Sequence, residues 1–194
     1  MRGPGACTDP ARTGPDLPSQ GAGGSRNDRG PEVPDARPPH PIPSTLDPVA
    51  RVGVAGALQP TLVELVDLAL TAKQLHWNVV GAGFVPLHAR LDALAADART
   101  WSDEVAERLT AVGSAPDGRA ATVASDAPDA PAPEGFTAEA TVLAELVDRL
   151  GAVAGRIRGR VAAVGEHDPV SADLLVGIVG GLEQHRWMAA AQRA

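Results

Sequence analysis

Residues 58–78 read LQPTLVELVDLALTAKQLHWN and carry a regular helical pattern. Their core-facing positions recur at alternating steps of four and three residues, which places them on one face of an α-helix. These positions are Leu58, Leu62, Leu65, Ala69, Ala72 and His76. Pro60 suits the first turn of such a helix, where its missing N–H costs nothing. The sequence therefore predicts a helix that begins near residue 55.

A second apolar stripe follows this helix after a break at VVGAG, residues 79–83. It predicts a helix closed by Gly113, because glycine readily adopts the conformation of a C-cap. The stripe consists of Leu87, Leu91, Leu94, Ala98, Trp101, Val105, Leu109 and Val112. Residues 114–135 are rich in proline and read as a long connection with room for one short helix.

Two further amphipathic helices complete the pattern. The third is predicted from about Thr137, with an apolar side formed by Leu143, Leu146, Leu150, Val153, Ile157, Val161 and Val164. Asp168 and Pro169 form an N-cap and a first helical position, and so predict the start of the fourth. Its apolar side carries Leu174, Leu175, Ile178, Leu182, Trp187 and Met188. Four such helices without a strand signal predict an all-α four-helix bundle, with the long connection between helices two and three.

The N-terminal part of the chain has a different composition. Residues 1–45 are dense in Pro, Gly, Ser and Arg, and show neither a helical nor a strand period. Their five arginines are balanced by five acidic residues. Such a segment buries too little apolar surface to offset its ordering entropy. We therefore expect a disordered extension over residues 1–50 and a single folded domain over 51–194.

Composition limits the location and the chemistry of the protein. Aromatic residues make up 3% of the chain, so the core must rely on Leu, Val and Ala, which suits packed helices. The single cysteine, Cys7, excludes an internal disulfide and a cysteine-rich metal site. We find neither a secretory signal nor an apolar run of the roughly 20 residues that span a membrane. A cytoplasmic protein is expected, and its net charge of −7 favours cations as partners.

Candidate metal ligands cluster on the first two helices. The sequence lacks the paired Glu-x-x-His motifs of a di-iron centre inside one bundle. Instead, His76 ends the first helix, and the second carries His88, Asp92, Asp103 and Glu107. At about 100° per residue, the last four lie at roughly 0°, 40°, 60° and 100° around the helix, on one stripe.

This stripe is too long for one metal ion. Asp92 and Asp103 lie about 16 Å apart along the axis at about 1.5 Å per residue. If the second helix packs antiparallel on its own copy across a two-fold axis, His88 and Asp92 face Asp103 and Glu107 of the partner. Such a contact creates two equivalent sites per dimer. The imidazole and carboxylate ligands suit Fe(II), and also Mn or Zn.

The residues around these positions resemble a known family. The segments are AKQLHWNVVG at 72–81, then Phe84, the pairs Leu87-His88 and Leu91-Asp92, and DEVAER at 103–108. Together they resemble the Dps family, ferritin-like mini-ferritins named for DNA binding in starved cells. The resemblance covers roughly residues 55–192.

The resemblance implies a ferroxidase and iron store in a hollow dodecamer. In that family iron is oxidised, typically by hydrogen peroxide, and kept as ferric mineral, which protects against oxidative stress. Its ligands correspond to His76, His88 and Asp92 of one subunit with Asp103 and Glu107 of its two-fold mate. By the same resemblance, Trp77 lies beside the site and can intercept oxidising equivalents. Acidic residues near the start of the last helix line a pore for iron, and the candidates are Glu166, Asp168 and Asp173.

Simpler interpretations exist for each of these residues taken alone. A histidine at a helix end is commonly a hydrogen-bonded or capping residue, and acids four residues apart commonly form a solvated face. Tryptophans such as Trp77, Trp101 and Trp187 ordinarily serve as packing anchors. A purely structural bundle is therefore one alternative, and the complete ligand set counts against it.

A nucleoid-associated DNA-binding protein is the other alternative. Dps proteins that bind DNA often carry lysine-rich tails, whereas this N-terminal segment is charge-balanced and contains no lysine. We therefore expect iron chemistry to be the main activity and DNA binding to be weak.

Overall fold

The computed structural model describes residues 42–193. Their secondary structure consists of α1 (Pro48–Asn78), β1 (Val79–Val80), α2 (Phe84–Ala111), α3 (Ala120–Asp126), β2 (Thr137–Ala138), α4 (Glu139–Gly165) and α5 (Pro169–Ala191). Most of the extension predicted to be disordered lies outside the described residues.

The four long helices form the bundle that the sequence predicts. Helix α1 packs mainly on α2, and α4 mainly on α5. Short connections join the helices within each pair, and the long one runs from α2 to α4. One buried apolar cluster fills the space between the helices, and it includes Leu65, Leu91, Leu150 and Leu182. The predicted fold class of the bundle is confirmed.

Helix α1 starts earlier than predicted. Asp47 caps it by accepting hydrogen bonds from the backbone N–H groups of Val49 and Ala50, and Pro48 takes the first helical position. Pro60 therefore lies inside the helix, and its predicted place in the first turn is wrong. The proline removes one backbone bond, but Gly56 four residues earlier is exposed, so its carbonyl can bond water.

The other helix ends follow the predicted chemistry closely. Gly113 has a φ of 81°, and its N–H bonds the carbonyl of Thr110. Ser114 N–H bonds the carbonyl of Leu109, which completes a Schellman motif after α2. Asp168 caps α5 at the predicted position. Helix α3 provides the short helix expected within the long connection.

The sequence pattern predicts no strand, yet the described residues contain two short ones. Val79 pairs with Thr137 and Val80 with Ala138 in a parallel bridge. Two residues are too few to produce a detectable alternation of apolar and polar side chains. The bridge takes up the predicted first residues of the third helix and ties the start of α4 to the connection between α1 and α2.

A buried carboxylate joins α1 to α4 and to the long connection. The Glu64 side chain is 2% exposed, and its two oxygens accept from Arg156 Nε at 3.0 Å and Arg160 Nη2 at 2.6 Å. Arg156 also bonds Asp129 of the long connection at 2.6 Å. Because a buried charge without a partner is costly, this network fixes how α1 and α4 align.

Among the described helices, α1 is the one long and apolar enough to cross a membrane by length and composition. The expectation that the chain has no apolar run of this length is therefore wrong for α1. Within the bundle, 56% of the most apolar window of α1 is buried. Packing in a protein core therefore accounts for the apolar composition of this helix.

Candidate metal centre

His76 and His88 hold each other in place through their backbones. Nδ1 of His76 lies 2.9 Å from the carbonyl oxygen of His88, and Nδ1 of His88 lies 2.9 Å from that of His76. A carbonyl oxygen can only accept, so both Nδ1 atoms carry the hydrogen. In the neutral rings, both Nε2 atoms then keep a lone pair. Histidines that bind metals are oriented in this same way by their second nitrogen.

The two histidine rings belong to different helices, α1 and α2, near the point where the chain passes from one to the other. His76 lies in the last turn of α1 and is 8% exposed, while His88 lies near the start of α2 and is half-buried. Their ring centroids are 3.6 Å apart, and the planes are inclined by 22°. Phe84 packs on the other side of His88, with centroids 4.9 Å apart. The short turn between α1 and α2 thus builds a compact histidine pair.

Asp92 extends this pair by one turn of α2. Its side chain is 61% exposed, and Oδ1 accepts from Lys73 Nζ at 2.7 Å. The hydrogen bond and the charge of Lys73 lower the pKa of Asp92, and His76 and His88 act in the same direction. Asp92 is therefore an ionised carboxylate at neutral pH. A cation that binds it must compete with Lys73.

Asp103 and Glu107 do not join this group within one subunit. Both lie on exposed positions of α2, further along the helix. Within residues 42–193, no three His, Cys, Asp or Glu side chains of a single chain are close enough to hold a metal ion. The structure thus brings His76 and His88 together, does not complete a three-ligand group with Asp92, and leaves Asp103 and Glu107 further along α2.

The predicted pore residues differ in their surroundings. Glu166 and Asp173 are exposed, whereas Asp168 is buried. The carboxylate of Asp168 accepts from Arg108 Nη2 at 2.6 Å and also bonds the hydroxyl of Ser171. Asp168 therefore has a structural role within the subunit as cap and ion-pair partner. A pore role for Glu166, Asp168 or Asp173 stays a prediction.

Asp168→Ala is expected to destabilise the bundle by about 2 kcal/mol, because it removes both a helix cap and a nearly buried partner of Arg108. Burial raises the pKa of Asp168, but the bonds from Ser171 and Arg108 outweigh it and lower the pKa overall. The stabilisation is therefore fully present at pH values above the ordinary pKa of aspartate, and it is lost as the pH falls through the lowered pKa of Asp168. Urea unfolding between pH 7 and pH 3 measures it. Equal midpoints for both proteins at pH 7 would contradict the assignment.

The tryptophans only partly match their expected packing roles. Trp101 is partly buried and lies against Gly181 of α5, where a Cβ would collide with its ring. Trp77 and Trp187 are each 64% exposed, so their expected roles as packing anchors within the subunit are wrong. Trp77 directly follows His76, and Lys73 Nζ lies 5.7 Å from its ring centroid. An exposed indole beside the histidine pair is available to a second subunit.

Two contacts near this site, those of Lys73 and Glu139, were not predicted from the sequence. Lys73 lies one turn before His76 on the same side of α1, and this spacing could have indicated its contact with Asp92. Glu139 bonds the backbone of Gly83 across 56 residues of sequence, and no local pattern predicts such a contact.

Comparison with known proteins identifies the class. A family model described as a ferritin-like domain matches residues 55–194, which agrees with the bundle and its long connection. The DNA protection during starvation protein 2 of Deinococcus radiodurans is 37% identical over 131 residues. That match covers 68% of this chain but only 54% of the relative, little more than half of its length.

Two further similarities narrow the class to a family. The DNA protection during starvation protein of Mycolicibacterium smegmatis is 36% identical over 140 residues, which cover 71% of this chain and 75% of the relative. The structure of Dps from Microbacterium arborescens in the high iron form has a TM-score of 0.74 at 28% identity. The match covers 78% of this chain and 98% of the Microbacterium arborescens chain. This chain belongs to the Dps family of the ferritin-like superfamily.

Proposed function

We propose that the protein is a ferroxidase and iron-storing mini-ferritin whose oxidation sites are shared between subunits. The observation that carries this proposal is the reciprocal pairing of His76 and His88, which leaves both Nε2 lone pairs available, with an ionised Asp92 one turn further along α2. Nitrogen and carboxylate oxygen are ligands that Fe(II) accepts readily.

The missing carboxylates are supplied by a second copy of the chain. Antiparallel packing of two α2 helices across a two-fold axis brings Asp103 and Glu107 of one subunit to the histidine pair of the other. Exposed apolar side chains next to that pair support such a contact, because isolated surfaces rarely expose so many together. They are Trp77, Val80, Phe84 and Val85.

The proposed reaction oxidises two Fe(II) ions for each hydrogen peroxide. Each iron gives up one electron, and the peroxide takes two electrons and two protons to form two waters. His76 and His88 orient Fe(II) through nitrogen, while the carboxylates provide negative charge that stabilises the Fe(III) product. Because peroxide is reduced by two electrons, hydroxyl radicals are avoided. Exposed Trp77 is placed to intercept a stray oxidising equivalent.

Storage follows from assembly into a closed shell, for which a dodecamer is proposed. The high iron form of the Microbacterium arborescens Dps supports iron as the cargo. Fe(II) would enter through pores lined by Glu166 and Asp173, and ferric mineral would collect inside. A cytoplasmic location fits this role, since Fe(II) and peroxide meet there.

The test of this function is anaerobic loading of the assembled protein with Fe(II), followed by peroxide, while ferric absorbance is recorded. Rapid oxidation at a ratio of about two Fe(II) per peroxide is expected. Oxidation no faster than in buffer would refute the proposal and leave a structural cage. Parallel titrations with Mn(II) and Zn(II) establish which metal the site prefers.

DNA binding is the second candidate, because relatives are named for DNA protection. Six arginines and Lys73 of the described residues already form ion pairs with carboxylates of their own subunit. The whole chain has a net charge of −7. Both features weaken attraction to phosphates, which supplies most of non-specific DNA affinity.

We therefore expect little retardation of duplex DNA by the full chain at physiological salt. A gel-shift series at rising salt measures it, with the chain lacking residues 1–41 as the matched control. Tight binding that weakens steeply with salt and requires the extension would instead make DNA the leading partner.

A further inference from the structure

Glu139 fills a gap in the turn that joins the two ligand-bearing helices. It is the first residue of α4, and its carboxylate accepts a hydrogen bond from the backbone N–H of Gly83. A Cβ on Gly83 would lie 2.7 Å from Glu139 Oε2, and one on Gly81 would lie 2.8 Å from it. The carboxylate therefore occupies space that exists because both positions are glycine.

The backbone around this contact is fixed as well. Gly81 has a φ of 141°, and the β1–β2 bridge holds the start of α4 beside the same turn. Helix α2 has no side-chain cap of its own at Gly83. The Glu139 carboxylate lies at the N-terminal ends of both α2 and α4, where the helix dipoles favour negative charge.

A short chain of contacts leads from Glu139 to the metal ligands. Phe84 directly follows Gly83, and its ring packs on His88. The peptide carbonyl and ring of His88 then complete the reciprocal pair with His76. We infer that Glu139 is a positioning residue for the metal site, because it anchors the turn whose geometry lets the two histidines bond each other. This inference rests on the proposed function.

The anchor has a specific consequence for metal binding. Without the Glu139–Gly83 bond, a smaller fraction of subunits holds both histidine rings with Nε2 available. The apparent affinity for metal falls in proportion to that fraction. The maximal oxidation rate at saturating iron changes little, because the ligands themselves are intact. A raised half-saturation concentration with an unchanged maximal rate is the expected signature.

Gly83 offers a way to displace the carboxylate without altering it. The φ of Gly83 is −86°, which lies in the ordinary range for L-residues, so alanine fits the backbone at this position. Its Cβ would clash only with the Glu139 side chain. Gly83→Ala and Glu139→Ala should each raise the half-saturation for Co(II) roughly tenfold, since both lose the same charge-assisted bond. Glu139→Gln keeps an accepting oxygen but loses the charge, so its half-saturation should lie between those of wild type and Glu139→Ala.

The experiment uses the full-length assembled protein and Co(II) alone, followed by its visible absorption band in oxygen-free buffer. The double variant Gly83→Ala/Glu139→Ala should have a Co(II) half-saturation no higher than either single variant, because each single change already removes the same Glu139–Gly83 contact. Hydrogen exchange of peptides covering residues 79–90 should be faster in both single variants. Fe(II) oxidation is measured in parallel to separate half-saturation from maximal rate.

The outcomes distinguish this inference from the proposed function. Unchanged hydrogen exchange in Glu139→Ala would refute the role of Glu139 in holding the turn, whatever the effect on Co(II) affinity. Faster exchange with unchanged Co(II) affinity, or losses that add in the double variant, would refute positioning of the metal ligands. A wild-type Co(II) band that persists in His76→Ala/His88→Ala would instead refute the metal site itself.

Discussion

His76→Ala/His88→Ala is expected to lower peroxide-dependent iron oxidation by about a hundredfold, since even the partners that orient metal ligands are worth 10- to 100-fold. Both nitrogen ligands of the proposed site are removed together, and Asp92 alone remains beside Lys73. The backbone carbonyls that accepted from the rings lie at a partly exposed helix junction and can bond water instead. The variant should therefore still assemble.

Stopped-flow recording of ferric absorbance measures the loss, and size-exclusion chromatography checks assembly. His167→Ala is the matched control, because His167 is exposed and distant in sequence from the pair. It should oxidise iron like the wild type. An assembled double variant that kept wild-type rates would mean that iron is oxidised elsewhere.

Asp103→Ala/Glu107→Ala is the second change with a large expected effect. Both carboxylates are exposed within the subunit, so removing them should leave the free energy of unfolding within about 0.5 kcal/mol of wild type. Oxidation should nevertheless fall by about a hundredfold, because the carboxylates that complete the partner's site are lost. A large loss of activity without a loss of stability is the signature of a functional surface.

Glu104→Ala is the matched control for this variant. Glu104 is an exposed carboxylate between the two, but it points about 100° away from Asp103 around the helix. Its removal should leave oxidation near the wild-type rate. Equal losses in Glu104→Ala and in the double variant would point to a general effect of surface charge and refute a ligand role.

The parts of the fold that the sequence predicts are those governed by local chemistry. Helical spacing from Leu58 to His76, the Asp168 cap and the Gly113 C-cap each depend on residues within a few positions, and the structure has all three. The start of α1 was missed because Asp47 and Pro48 follow a proline-rich segment that hides an ordinary capping signal. The β1–β2 bridge pairs residues far apart in sequence, so no local pattern indicates it.

The site shows the same division between features set by local spacing and contacts between distant elements. The spacing of His76 and His88 suffices to predict that they lie close together, and the structure gives them a reciprocal bond, whereas the ligand role of Asp92 stays a prediction. Lys73 on Asp92 and Glu139 on Gly83 depend on how side chains meet across elements, which periodicity cannot supply. The place of Asp103 and Glu107 is a property of two chains together, and it stays a prediction.

Mixing two inactive variants tests whether the oxidation site is shared across a two-fold axis. His76→Ala/His88→Ala and Asp103→Ala/Glu107→Ala are unfolded together, reassembled in equal amounts and assayed for peroxide-dependent oxidation. In a mixed dimer, one of the two sites takes intact histidines from one chain and intact carboxylates from the other. Random pairing then restores about one quarter of wild-type activity. Mixed assemblies as inactive as their parents would contradict a shared site.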